Sequence, residues 1–160
     1  MRSGLALLLV GCTGGTGPPL IDVDAWRTDL PSDPIPEHQP EDVHCDAQGW
    51  GEEIGGIEVE TDLCPYAVLS QPLLDRVREG RSVHILAWHN DLVAPEPATG
   101  HMVLAINGVV IWDWEEPIPS RANVFDESVD VPASFETGAT VTLHVHNHGA
   151  NSWNLYSVEQ

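Results

Sequence analysis

The segment LAINGVVIWDW, residues 104–114, constrains the fold more than any other part of the chain. Asn-Gly between two apolar runs is the strongest short signal of a β-hairpin, because the central positions of its tight turn need positive φ. The turn pairs Ile106 with Val109 and, by continuation, His101 with Trp114. Side chains alternate between the faces of a strand. One face of the hairpin then holds Met102, Leu104, Ile106, Val109 and Ile111, and reads as core. The other holds His101, Val103, Ala105, Val110, Trp112 and Trp114.

Similar short runs recur between Gly, Pro, Asn and Asp. They are residues 56–61, 66–74, 82–89, 101–106, 109–114, 127–132, 140–147 and 153–159. Strands at this spacing predict an all-β fold, an antiparallel β-sandwich or jelly roll, over residues 45–160. The one helix candidate is short, Pro72 to Glu79. No repeat of 20–50 residues is visible.

The same alternation sorts two further strands. Val83, Ile85 and Ala87 fit a core, with His84, Leu86 and Trp88 opposite; Val141, Leu143 and Val145 fit a core, with Thr142, His144 and His146 opposite. The non-core phase thus collects histidines together with Trp88, Trp112 and Trp114. Solvent does not call for tryptophan. That phase is either a second buried layer, covered by a loop or by the segment before residue 45, or an exposed ligand surface. The second reading is favoured, because the phase is also rich in His and polar loop residues.

Two chemistries suit such a surface. Carbohydrate binding uses aromatic rings against sugar C–H faces and a few polar groups to orient hydroxyls. The ending NHGANSWNLYSVE, with the hairpin AINGVVIWDW, resembles the galactose-binding-like jelly-roll carbohydrate-binding modules over residues 56–160. That resemblance implies a site of Asn147, Asn151 and Trp153, with Trp112 and Trp114 as platform; Trp88 and His101 share the face. Many such modules hold a structural calcium with acids of the first strand and an Asp in the last. Glu58 and Glu60 fit the first part, but Tyr156 and Ser157 stand in the last. The second chemistry is Zn or Cu binding. His144 and His146 point the same way and need a third ligand from a neighbouring strand, His84 or His101. A third class is a structural or partner-binding protein with the Trp face as its interface. No Gly-x-Ser-x-Gly, phosphate loop or H-E-x-x-H is present, so the expectation is a non-catalytic protein without an obligatory cofactor.

Charge narrows the partners. The formal net charge is −19, with no lysine among the six basic residues. Nucleic acid, which demands clustered Lys and Arg, is excluded as a partner.

The N-terminus carries an address. In MRSGLALLLVGC, LVGC (Leu9–Cys12) resembles the lipobox of bacterial lipoproteins. The resemblance implies a signal peptide over 1–11, lipidation of Cys12 and an extracytoplasmic, lipid-anchored location at an outer membrane or cell surface. With Cys12 lipidated, Cys45 and Cys64 remain as a disulfide pair. Residues 12–44 hold six prolines and seven acids, and read as a disordered, extended tether. Any local docking is expected at Asp22 to Leu30, through Trp26.

Overall fold

The computed structural model describes residues 17–160, so the expected signal peptide and Cys12 lie outside the described residues. The fold is an all-β, antiparallel sandwich of two five-stranded sheets. Its strands are β1 (Arg27–Thr28), β2 (Trp50–Glu53), β3 (Gly56–Glu60), β4 (Tyr66–Pro72), β5 (Ser82–His89), β6 (Ala98–Ile106), β7 (Val109–Ile118), β8 (Asn123–Asp130), β9 (Thr140–His146) and β10 (Ser152–Glu159). The first sheet has the order β1-β4-β9-β6-β7 and the second β2-β3-β10-β5-β8. Consecutive strands cross repeatedly between sheets, as jelly rolls do. No helix among the described residues is long and apolar enough to cross a membrane.

The core lies between the sheets. Leu69, Met102, Leu104, Leu143 and Val145 meet Ile57, Val59, Ile85, Ala87 and Leu155 across it, all buried. Of the expected hairpin core, only Val109 stays at the surface, 40% exposed. The turn forms as expected, with Asn107 and Gly108 at φ 50° and 77° and Ile106 opposite Val109.

The register beyond that turn differs from simple continuation. A β-bulge lies between the Leu104 and Ala105 pairings: Ala105 faces Val110, but Leu104 faces Trp112, so Ile111 is an extra residue. One inserted residue moves every later side chain to the opposite face. His101 therefore pairs with Glu115 rather than Trp114, and Met102 with Trp114. Trp112 and Trp114 turn into the core, where they are 4% and 9% exposed. Asp113 takes their place on the outer face.

Residues 18–44 are not an extended tether. They form a strap across the sandwich, with β1 paired to β4 and Leu20 and Trp26 buried in the core. Leu20 also exchanges backbone bonds with Val158 and Leu74. Two well-placed apolar side chains thus anchor an otherwise polar segment, and its prolines reduce the entropy lost on ordering. Three short 3-10 turns, Val23–Ala25, Leu30–Ser32 and Pro36–His38, fold the strap down.

The expected helix at Pro72–Glu79 is absent. Leu73 and Val77 both point into the core, and their amides donate to Ala139 and Phe135 rather than along a helix. Cys45 and Cys64 form the expected disulfide across a sequence separation of 19. Closing a loop of that length contributes about 3 kcal/mol in the chain-entropy picture.

Candidate functional site

The outer face of the first sheet is built in rows across the strands. Tyr66, His146, His101 and Glu115 form one row; Val68, His144, Val103 and Asp113 form the next. The strap covers these rows and brings Asp33 and His38 onto them. Asp33 accepts from the Tyr66 hydroxyl and from Nδ1 of His144, the latter at 3.0 Å. His144 Nε2 lies 2.8 Å from His146 Nδ1, and His101 Nε2 lies 2.6 Å from Asp113. The His38 ring sits 5.6 Å from that of His101 and 5.1 Å from that of His146. A ring nitrogen from each of His38, His101 and His146 lies within 4.8 Å of the other two.

Burial governs the protonation of this cluster. It pushes His146 down to about 3, assisted by the neighbouring His144, His101 and His38. Burial also lowers His144, against the opposing pull of Asp33. Burial alone would raise the Asp33 carboxyl. Hydrogen bonds from His144, Tyr66 and the Ile35 amide outweigh it and hold Asp33 below the usual carboxylate range. Burial, then the Asp33 contact, pushes the Tyr66 phenol up. His144 and His146 are thus neutral imidazoles at neutral pH, the form with a free lone pair.

The sequence-derived candidates are divided among several places. His101, His144 and His146 come together, one of the two sets that their common phase left open. His84 does not join them: β5 belongs to the second sheet, and His84 pairs there with Asp126 at 2.9 Å. Trp153 is fully buried between His89 and Trp114, over Gly100, where a Cβ would collide with its ring. Asn147 and Asn151 are loop staples. Asn147 Nδ2 donates to Thr61 Oγ1, and the Asn151 side chain bonds both the amide and the carbonyl of Val93. The Trp112–Trp114 platform and Trp153 are therefore corrected to core, and of the candidate tryptophans Trp88 alone reaches a surface. Glu58 and Glu60 lie on β3, with Glu58 accepting from Ser152 at 2.6 Å.

Trp88 marks a second face. The outer side of the second sheet has a row of Glu58, Asn154, Trp88 and Val124. Two residues after Asn154, Tyr156 falls on the same outer face; it is the extra residue of a bulge between Leu155 and Ser157, 43% exposed and 5.8 Å from the Trp88 ring. Val124 is 60% exposed at the edge of the same patch. Glu53 and Glu60 beside it are raised above the usual carboxylate range, Glu53 by its contact with Glu58 and Glu60 by burial and then Glu58. Sequence reading missed Tyr156, His38 and Asp113. Asp113 was hidden by a bulge, His38 by assignment to the tether, and Tyr156 lies in a strand whose faces were not sorted.

No family model matches the chain, and no curated protein matches it. Among solved structures it is similar to one described as "CBM4 structure and function", with TM-score 0.46 and 10% identity, over 86% of this chain and 95% of that one. It is similar to the N-terminal cellulose-binding domain of Cellulomonas fimi β-1,4-glucanase C, with TM-score 0.44 and 13% identity over 73% and 83% of the two chains. It is also similar to an arabinose-bound MgGH51 α-L-arabinofuranosidase, at TM-score 0.49 and 9% identity; the match covers 92% of this chain but 27% of that one. Likeness at this level concerns the course of the chain and not what it binds.

Proposed function

We propose that the protein is a non-catalytic carbohydrate-binding module that uses the outer face of its second sheet. The observation that supports this reading is the outward pair Trp88 and Tyr156, with Asn154 and Glu58 in the same row as Trp88. Rings at this separation offer an apolar ledge to the C–H face of a sugar, and the carboxylates accept from its hydroxyls. An acidic protein repels anionic polymers, so a neutral glycan is the fitting class. A glycan array and affinity electrophoresis test it. The full chain is expected to bind a neutral glycan, and Trp88→Ala to lose about 1.5–3 kcal/mol of affinity, the worth of burying one large side chain. No binding by the unaltered protein, or equal binding by Trp88→Ala, would reject the reading.

The same proposal places the module outside the cytoplasm on a lipid anchor. LVGC supports it, and the Cys45–Cys64 pairing leaves Cys12 as the third cysteine of the chain. Mass spectrometry of the protein expressed in a bacterial host is expected to find a diacylated N-terminal Cys12, and Cys12→Ser to lack the added mass. An unmodified Cys12 in the mature chain would remove the anchor.

A further inference from the structure

The histidine cluster on the first sheet is not used by the proposed sugar face. His101 and His146 are cross-strand partners on β6 and β9, and His38 reaches them from the strap. Their hydrogen bonds decide which nitrogens stay free. Asp113 accepts from Nε2 of His101, so the lone pair of that ring lies on Nδ1. Asp33 accepts from Nδ1 of His144, so neutral His144 has its lone pair on Nε2 and accepts there from Nδ1 of His146. The lone pair of His146 then lies on Nε2. Each sheet histidine is thus backed by a carboxylate, directly for His101 and through His144 for His146. Such backing fixes the tautomer and raises ligand basicity in metal sites.

We propose that His38, His101 and His146 bind one divalent late transition-metal ion, Zn2+ or Cu2+, and so clamp the strap to the sheet. Three imidazole nitrogens suit these ions and not Ca2+ or Mg2+, which take oxygen. Metal–nitrogen bonds of about 2.0–2.1 Å place tetrahedral ligands about 3.4 Å apart. One ring nitrogen of each of the three already lies within 4.8 Å of the other two. His38 is exposed on a three-residue turn, and an inward shift of about an ångström completes the set. The fourth position opens on a cleft of about 470 Å³ lined by His38, Tyr66, Asn147 and His148, where water or a small ligand completes the coordination. This role stands apart from sugar binding, because the two faces lie on opposite sheets.

Calorimetry of the full chain with Zn2+, and electron paramagnetic resonance with Cu2+, test the site. One ion per chain is expected, with nitrogen couplings in the Cu2+ spectrum. His38→Ala is expected to weaken binding about tenfold or more, and Asp113→Asn about tenfold, the usual cost of losing a carboxylate behind a ligating His. His38 is exposed, so its removal leaves the sandwich folded, as circular dichroism checks. His84→Ala on the opposite sheet is expected to bind as the unaltered protein does. Trp88→Ala is expected to keep its metal affinity even where it loses sugar, which separates the two readings. Absence of binding by the unaltered chain, or unchanged binding by His38→Ala, overturns the proposal.

Discussion

Trp153→Ala is expected to destabilise the protein by about 3–5 kcal/mol, the usual cost of deleting a buried aromatic ring. The ring is fully buried, with the His89 ring at 4.8 Å and the Trp114 ring at 5.6 Å. Its indole N–H has no partner among the described residues, so the loss is one of packing and not of a hydrogen bond. Gly100 beneath it cannot refill the space, and the two sheets that flank the cavity are held by their ladders. Domains of this size are stable by about 5–15 kcal/mol in all, so the variant is expected near the edge of folding. Urea unfolding monitored by circular dichroism measures the change. Trp88→Ala makes the contrast: its ring stands on an outer face, and a loss of only about 1 kcal/mol is expected. Equal losses for the two variants would contradict the division of tryptophans between core and surface.

That division explains what the sequence could and could not convey. Period-two alternation located eight strands, and Asn107-Gly108 fixed the hairpin turn, because both are local signals. The fate of Trp112 and Trp114 was decided by one inserted residue, Ile111, and alternation has no means of showing an insertion. Tyr156 keeps the outer phase of Asn154, and the second bulge changes the faces only from Ser157 onward. Core burial of two large rings favours the bulge: without it, Trp112 and Trp114 would have faced outward and the hydrophobic gain of both would have been lost. The histidine cluster was half legible. His144 and His146 share a phase by simple counting, but the choice between His101 and His84 depended on which strand lies beside β9, a long-range fact. His38 was illegible because composition marked residues 12–44 as unable to fold alone. The segment does not fold alone; it borrows the sandwich as its core through Leu20 and Trp26. β1 and β2 escaped notice because strands of two and four residues carry too few alternations to register.

Asp33→Ala is the sharpest test of how the strap is held. The Asp33 side chain is 3% exposed, and its carboxylate is shared by the Tyr66 hydroxyl, His144 Nδ1 and the Ile35 amide. Alanine leaves the first two donors buried and unpaired, each at about 1–3 kcal/mol. The sum is about 2–6 kcal/mol. Asp33→Asn keeps the volume and one accepting oxygen, but turns an N–H toward a donor, so an intermediate loss is expected. Two measurements locate the effect. Urea unfolding gives its size, and limited proteolysis shows whether residues 17–44 become cleavable before the sandwich. Both variants are expected to expose the strap first, because β4, β9 and β6 keep their ladders without it while Asp33 links the strap to side chains of β4 and β9. The same change frees His144 from the tautomer that directs the lone pair of His146, so Zn2+ affinity is expected to fall even where the protein remains folded. Unchanged stability and an uncleaved strap would mean that Leu20, Trp26 and the pairing of β1 with β4 hold the segment down, with Asp33 and the histidines resting on it as passengers.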